Sequence, residues 1–180
     1  IAVLFALTGC VSRPSPDVLK PVALKNDAAE TLSVLAVTNR DRETKDGTFG
    51  NRWGQNLHYD RFVFSIPKDR NGAAINYPAA KPDPKRDYIV LEREKLSLDA
   101  LVREATQAAR FDGTVAVFVH GYNYSYQEAL FRTAQVAADA NAMSPPIMFS
   151  WPSAASVAGY VADRDAVLYS RTELDALLKA

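Results

Sequence analysis

The chain has 180 residues, a length that suits one domain, and its hydrophobic content of 48% is enough for a packed core. Lys plus Arg equals Asp plus Glu at 21 each, so no net charge points to nucleic acid or to an anionic surface. One cysteine and two histidines exclude a Cys/His-rich zinc site and an intrachain disulfide. We therefore expect no metal ion and no nucleic-acid partner.

The N-terminal stretch has the character of a targeting signal. Residues 1–7 are apolar and lead into Leu7-Thr8-Gly9-Cys10, which resembles a bacterial lipoprotein signal. The resemblance implies a lipid on Cys10 and a protein anchored in the bacterial cell envelope, on the periplasmic side or at the outer membrane. A buried strand with an inert cysteine and an ordinary membrane anchor are the alternatives. The first residue is Ile, so we expect an incomplete or processed N-terminus.

Residues 11–30 predict a flexible tether that joins this signal to a folded domain over residues 31–180. Pro14, Pro16 and Pro21 lie among small and polar residues there, a composition typical of an extended linker. The domain then opens with apolar runs at residues 33–38 and 61–66, which predict two strands. A proline-rich loop over residues 68–86 and a short edge strand over residues 88–91 follow.

The second half of the chain predicts a strand–helix–strand–helix order. Helical spacing of apolar residues indicates a helix from Ser97 to about Arg110. The apolar run at residues 114–119 predicts a strand covered on both faces, and residues 147–151 predict another. Between them, Ser125 and Glu128 form a capping-box pattern that starts a helix over residues 125–141.

A second capping-box pattern, Ser170 with Glu173, predicts a last helix. We expect that helix to turn Leu174, Leu177 and Leu178 inward. The helix over residues 125–141 is expected to pack through Leu130, Thr133, Val136, Ala137 and Ala140.

The loop between the strand at 114–119 and its helix is the strongest candidate for chemistry. A right-handed crossover makes the two flanking strands parallel neighbours and places residues 120–124 at the carboxyl edge of the sheet. Gly121 allows backbone conformations that are closed to other residues. That freedom would aim the N–H groups of Tyr122 and Asn123 into a cleft, where the helix dipole favours an oxyanion.

Several motifs in this half resemble one protein family. They are Val117-Phe118-Val119-His120-Gly121-Tyr122-Asn123, Phe149-Ser150-Trp151-Pro152-Ser153, Gly159-Tyr160 and Asp163-Arg164. Together they resemble the uncharacterised bacterial esterase/lipase-like branch of the α/β-hydrolase superfamily. Thr38-Asn39-Arg40 and residues 49–66 are also similar to the N-terminal part of that group, so the resemblance spans roughly residues 34–180.

The resemblance implies a serine hydrolase that acts on a small-molecule or lipid ester without a cofactor. The family pattern assigns the oxyanion donor to the loop after the third strand. Carried onto this chain, the donor is the backbone N–H of Tyr122, and Gly121 and His120 shape the loop. The predicted substrate-pocket residues are Asn123, Ser150, Trp151 and Ser153.

The chain departs from the family where the nucleophile is expected, because it contains no Gly-x-Ser-x-Gly. We therefore expect a fragment without nucleophile, acid or base, inactive as it stands; a frameshifted or truncated product is the alternative. The predicted fold is a partial α/β-hydrolase, a three-layer αβα arrangement with a mostly parallel sheet, truncated before the nucleophile-bearing strand. The alternative is a non-enzymatic envelope lipoprotein that uses this scaffold to bind a partner.

Each candidate residue also has a structural interpretation. His120 is expected to fix the loop rather than act as a base, and Ser125 to cap a helix rather than attack a substrate. Ser150 and Ser153 suit turns, and Trp151 suits the core or a pocket wall. The remaining polar residues are expected at the surface or in ion pairs: His58 in a surface loop, Asp163 to Asp165 on a solvated face, and Arg40 in a structural ion pair.

Overall fold

The computed structural model describes residues 13–24, 30–42, 48–70 and 74–180. The predicted signal and its Cys10 lie outside these ranges. The strands are β1 (Glu30–Arg42), β2 (Phe49–Ile66), β3 (Ile89–Leu96), β4 (Val117–Val119) and β5 (Ile147–Ser150). The α-helices are α1 (Leu98–Asp112), α2 (Tyr126–Asp139), α3 (Tyr160–Tyr169) and α4 (Arg171–Leu178). Short 3-10 helices cover Pro16–Leu19 and Val157–Gly159.

Within the described residues the strands form one sheet in the order β3-β2-β1-β5-β4. β2 is antiparallel to both β1 and β3, whereas β5 is parallel to β1 and to β4. All strands except β2 therefore point the same way. The predicted parallel pairing of the two strands that flank the 120–124 loop is confirmed.

Helices cover both faces of this sheet. Alternate residues of β1 enter different cores, because successive side chains of a strand point to opposite faces. Val34 and Ala36 pack with α2, and Leu35 and Val37 pack with residues of α1, α3 and α4. The result is a three-layer α/β arrangement, as the sequence predicts.

The helix ends follow their local chemistry. Ser97 caps α1 by accepting the Ala100 N–H at 3.2 Å, and the helix ends at Gly113, whose φ of 74° suits glycine. Ser125 caps α2, and its predicted capping box with Glu128 is confirmed. On α2 the inner face differs from the prediction at Val136, which is 47% exposed, and at Ala140, which follows the helix and is also exposed.

The second predicted capping box is wrong. α3 runs almost directly into α4, so Ser170 has helical angles of φ −76° and ψ −1° instead of the extended conformation of an N-cap. Its hydroxyl donates to the Ala166 carbonyl at 2.8 Å and accepts from the Asn39 amide at 2.8 Å. In α4, Leu177 is buried as predicted, but Leu178 is 62% exposed.

Four strands differ from the sequence-based boundaries by more than one residue, and β1 and β3 are longer than predicted. β2 begins at Phe49, well before the predicted residue 61, because pairing with β1 extends through polar residues that carry no alternating pattern. β4 is shorter than predicted and lies at the edge of the sheet, paired with β5. Val119 is consequently 44% exposed rather than covered on both faces. Helix α3 was not predicted, since only Asp163 and Ala166 are buried along it.

Part of the predicted flexible tether packs on the domain. Within residues 13–24, Ser15 caps the short 3-10 helix, and Leu19 is 2% exposed in the α2-side core. The Val22 N–H donates to the Val90 carbonyl of β3 at 2.9 Å. This proline-rich segment therefore packs along the surface of the domain. Across the described ranges, no helix is long and apolar enough to cross a bilayer.

Candidate functional site

The candidate site lies at the carboxyl ends of three neighbouring strands. His120 follows β4, Ser150 ends β5, and Thr38 pairs with Ser150 from β1. The Thr38 hydroxyl donates to the Ser150 carbonyl at 2.5 Å. Loops 120–124 and 151–156 leave the sheet here, which is where parallel α/β sheets carry their sites.

Arg40 is the buried centre of this region. Its side chain has no exposure, and its Nε donates to the Ser150 hydroxyl at 3.0 Å. Its Nη atoms donate to the carbonyls of Gly50 and Tyr124, each at 3.0 Å, and of Ser153 at 3.4 Å. The predicted ion pair is therefore replaced by hydrogen bonds to neutral oxygens from four chain segments. Burial lowers the pKa of Arg40 to about 10, so the guanidinium stays charged at neutral pH.

The local backbone explains how Arg40 turns inward. The pairing register between β1 and β2 shifts on both sides of Arg40. Such an irregularity redirects a side chain relative to the regular alternation. Gly54 on β2 faces this point, where an added Cβ would lie 3.1 Å from the Arg40 carbonyl oxygen. A glycine at position 54 thus allows the two backbones to approach.

His120 is buried between the two loops and stacks on Trp151, with ring centroids 4.7 Å apart. Its Nδ1 lies 2.8 Å from the Gly121 carbonyl, and its Nε2 lies 3.1 Å from both the Ser150 hydroxyl and the Trp151 carbonyl. A neutral imidazole donates through only one of these two nitrogens. Because Arg40 donates to the Ser150 hydroxyl, a continuous chain of polar contacts runs from Arg40 through Ser150 and His120 to Gly121.

The surroundings of His120 keep the imidazole neutral. Burial lowers its pKa to about 4, and the nearby positive charge of Arg40 acts in the same direction. A base with so low a pKa is poorly matched to proton abstraction at neutral pH. These contacts favour the loop-fixing role of His120 over that of a general base.

Ser150 pairs with a histidine but lacks access to solvent. Its hydroxyl is held by Arg40 and His120, and the residue has no exposure, so a substrate cannot reach it. Trp151 is 3% exposed, donates its indole N–H to the His120 carbonyl at 2.9 Å, and is part of the core. Ser153 has no exposure either. These three predicted pocket residues are internal in this structure. The fourth, Asn123, lines a small cavity of about 120 Å³.

Asp163 is the functional-site residue that sequence reasoning missed. It was expected on a solvated face, yet it is 2% exposed. Its carboxylate accepts from the Ser153 hydroxyl and the Ala154 N–H, each at 2.6 Å, and from the Asn123 N–H at 3.0 Å. Asp163 thus joins both loops to α3. Only Asp163 and Ala166 are buried on this largely exposed helix, so no apolar pattern could have revealed its position.

The 120–124 loop takes its shape from Asn123 rather than Gly121. Asn123 has a φ of 64°, in the left-handed region that asparagine tolerates better than most residues. Gly121 is outside that region, and an added Cβ there would meet nothing within 4 Å. The prediction that Gly121 shapes the loop through its conformational freedom is therefore wrong, and the left-handed residue lies two positions later.

The two predicted oxyanion donors differ in their hydrogen bonding. The Asn123 N–H is occupied by the Asp163 carboxylate. The backbone N–H of Tyr122, by contrast, forms no hydrogen bond to another described residue. The Tyr122 side chain is fixed instead, because its hydroxyl donates to the carbonyls of Ser156, at 3.3 Å, and Val157. One of the two donors thus remains open to an external acceptor.

The remaining candidates are structural or lie apart from this site. His58 was expected in a surface loop, but it lies partly buried on β2, because the pairing of β2 with β1 extends through it. Its ring centroid is 5.3 Å from that of Phe49, and burial lowers its pKa. Within the described ranges, no group of three or more His, Cys, Asp or Glu side chains is arranged to hold a metal ion.

Residues 98–180, a little under half of the chain, match the model of a family described as alpha/beta hydrolase of unknown function (DUF900). Searches of curated proteins and of solved structures found no match. The family match covers α1 to α4 and both loops of the candidate site. It supports the α/β-hydrolase superfamily for this chain, and the open mixed sheet with helices on both faces is consistent with a partial α/β-hydrolase fold.

Proposed function

We propose that this protein is a serine hydrolase of the bacterial cell envelope that cleaves acyl esters. In this proposal residues 120–124 supply one half of the oxyanion site. The proposal places the nucleophile, acid and base outside the 180 residues, since the sequence contains no Gly-x-Ser-x-Gly and Ser150 has no exposure. The family match to residues 98–180 supports a hydrolase scaffold.

The observation that carries the proposal is the Tyr122 N–H, which bonds to no other described residue although the loop around it is held in place. His120 Nδ1 contacts the Gly121 carbonyl on one side of Tyr122, and Asp163 accepts from the Asn123 N–H on the other. A donor held in this way needs no reorganisation when negative charge develops on a substrate oxygen. Removing one such donor from an acyl-transfer site typically slows the reaction by about 10²–10³-fold.

The proposed chemistry follows the acyl-transfer pattern. A serine hydroxyl attacks the ester carbonyl carbon, and a histidine takes the hydroxyl proton. The carbonyl oxygen becomes an oxyanion that accepts from the Tyr122 N–H. The alcohol leaves with that proton, and water then releases the acid from the acyl-serine.

Labelling with a serine-reactive fluorophosphonate tests this proposal. We expect the folded protein from the natural gene to form a covalent adduct, and heat-denatured protein to form none. Peptide mapping should locate the adduct on a serine outside residues 1–180, and not on Ser125, Ser150 or Ser153. Absence of any adduct on the folded protein would refute the hydrolase proposal.

We also propose that a lipid on Cys10 anchors the protein to the envelope. The apolar residues 1–7 followed by Leu7-Thr8-Gly9-Cys10 support this. Cys10→Ala should move the protein from the membrane fraction to the soluble fraction. Unchanged membrane partitioning of the variant would contradict the anchor.

A non-enzymatic role in partner binding is the second candidate. An open cleft of about 890 Å³ between residues 13–22 and 75–87 favours it, because charged side chains of both signs line that cleft. They include Arg13, Lys20 and Arg86, and Asp17, Asp83 and Asp87. Under this alternative the folded natural protein would react with no fluorophosphonate.

A further inference from the structure

The segment of residues 13–22, here termed the N-terminal strap, is attached at several points. Leu19 is buried in the α2-side core, and the Val22 N–H pairs with the Val90 carbonyl of β3. Near its start, the Pro14 carbonyl accepts from the Gln127 amide of α2 at 2.8 Å. The strap therefore runs from the β3 side of the sheet to the beginning of α2. That end of α2 adjoins the 120–124 loop.

Arg13, at the described start of the strap, contacts the loop through its guanidinium. Both Nη atoms donate to the Asn123 carbonyl at 3.2 Å, and Nη2 also donates to Asn123 Oδ1 at 2.5 Å. Nη1 forms an ion pair with Glu128. The same Glu128 oxygen accepts from the N–H and the hydroxyl of Ser125, each at 2.8 Å. One guanidinium thus links the loop to the N-terminal cap of α2.

Asn123 is consequently held through three polar groups. Asp163 accepts from its N–H, and Arg13 donates to its carbonyl and to its side-chain oxygen. A left-handed conformation at a residue other than glycine is less favourable than the right-handed one, so surrounding contacts have to maintain it. The contacts that do so come from α3 on one side and from the strap on the other.

We propose that Arg13 is a positioning residue that holds Asn123 in its left-handed conformation and thereby directs the Tyr122 N–H. The role of Tyr122 as an oxyanion donor rests on the proposed function. The effect of Arg13 on the loop does not, because it follows from the contacts of Asn123. Arg13 touches no reacting atom and acts through Asn123 and Glu128.

The geometry also indicates that the effect is local. The Arg13 side chain is 35% exposed and that of its partner Glu128 is 21% exposed, so replacing Arg13 leaves no charge sealed in the core. Leu19, Val22 and Gln127 still hold the strap when Arg13 is replaced. We therefore expect the loop to loosen while the sheet stays folded.

Amide hydrogen exchange on the natural full-length protein tests the proposal. In Arg13→Gln the amides of Asn123 and Ser125 should exchange at least about 5-fold faster. The bonds from Arg13 to the oxygens of Asn123 are lost, and so is its ion pair with Glu128, the acceptor of the Ser125 N–H. Arg13→Lys, which keeps the charge but not the planar fork, should give a smaller increase. Lys20→Gln is the matched control on the same strap, since Lys20 pairs with the exposed Asp17, and should leave both amides unchanged.

The core amides of Phe64 and Phe149 report global unfolding in the same experiment. If these core amides also exchange faster in Arg13→Gln, exchange at Asn123 is compared between Arg13→Lys and Lys20→Gln. Faster exchange in Arg13→Lys supports the proposal, and equal exchange in the two variants overturns it. Unchanged exchange at Asn123 in every Arg13 variant would overturn the strap proposal and leave the hydrolase proposal intact. Faster loop exchange without fluorophosphonate labelling of the natural protein would support the strap and refute the hydrolase.

Discussion

At the scale of single residues, Asp163 is the contact on which both site loops depend. Asp163→Asn replaces an acceptor carboxylate with a group that presents an N–H₂ to one of three donors. We expect a loss of about 2–4 kcal/mol in the free energy of unfolding, because buried donors lose their acceptor. Chemical denaturation measures this loss.

Asp165→Asn is the matched control for that prediction. Asp165 is two residues away on the same helix, is about half exposed, and pairs with the exposed Arg164. Its replacement should change the unfolding free energy by no more than about 0.5 kcal/mol. Equal losses of unfolding free energy in the two variants would show that the hydrogen bonds of Asp163 to the two loops stabilise the fold no more than an exposed ion pair.

His120 should make stability depend on pH. Its pKa is about 4 in the folded protein and 6.5 in the unfolded chain, so the unfolded state binds more protons between these values. The contribution of neutral His120 to the free energy of unfolding is fully present above about pH 6.5. As the pH falls toward 4, the free energy of unfolding should decrease by about 2–4 kcal/mol.

An NMR titration of the imidazole signals provides the measurement. The His120 ring should remain neutral at pH 5, well below the ordinary midpoint of a histidine. A midpoint at or above 6.5 for His120 would contradict the chain of polar contacts from Arg40 to Gly121.

Residue types at this site could be predicted better than their contacts. The sequence indicated the loop, the cap at Ser125 and the loop-fixing histidine, since each belongs to a local pattern. The buried positions of Arg40 and Asp163 could not be inferred, because their partners lie far away in the chain. The sequence also did not show that Asn123, and not Gly121, adopts the left-handed conformation in this loop.

At the scale of elements, the two capping-box patterns provide a direct comparison. Glu128 accepts the Ser125 N–H in a formed box, whereas one carboxylate oxygen of Glu173 is buried without a partner. Glu128→Gln should lower the unfolding free energy by about 1 kcal/mol. Glu173→Gln should leave the unfolding free energy unchanged or raise it slightly, because it removes the charge of a carboxylate whose buried oxygen has no hydrogen-bond partner.

Thermal unfolding of both variants checks this prediction. If Glu173→Gln proves as destabilising as Glu128→Gln, then Ser170 and Glu173 form a capping box in solution. The identical Ser-x-x-Glu spacing at the two sites shows why sequence alone misjudged one of them. A cap requires an extended residue before the helix, and at Ser170 the preceding helix α3 excludes it.

At the scale of the whole molecule, the α/β class follows from the sequence, because buried strands and amphipathic helices leave distinct periodicities. The antiparallel direction of β2 and the extent of its polar half could not be predicted from the sequence, because pairing with the neighbouring strands determines both. The strap adds a long-range link between the N-terminal segment and the site loop. Because the chain from Cys10 to Arg13 spans at most about 11 Å, the proposed lipid would hold this loop near the membrane.

The central claim is that residues 120–124 form the oxyanion half of a hydrolase site. A crystal structure of the natural protein with a phosphonate bound to its nucleophile tests this most directly, because the phosphonyl oxygen mimics the oxyanion. We predict that this oxygen lies about 2.7–3.1 Å from the Tyr122 backbone nitrogen, with Asp163 still bound to the Asn123 N–H. A phosphonyl oxygen held by other donors, with Tyr122 out of reach, would contradict the account.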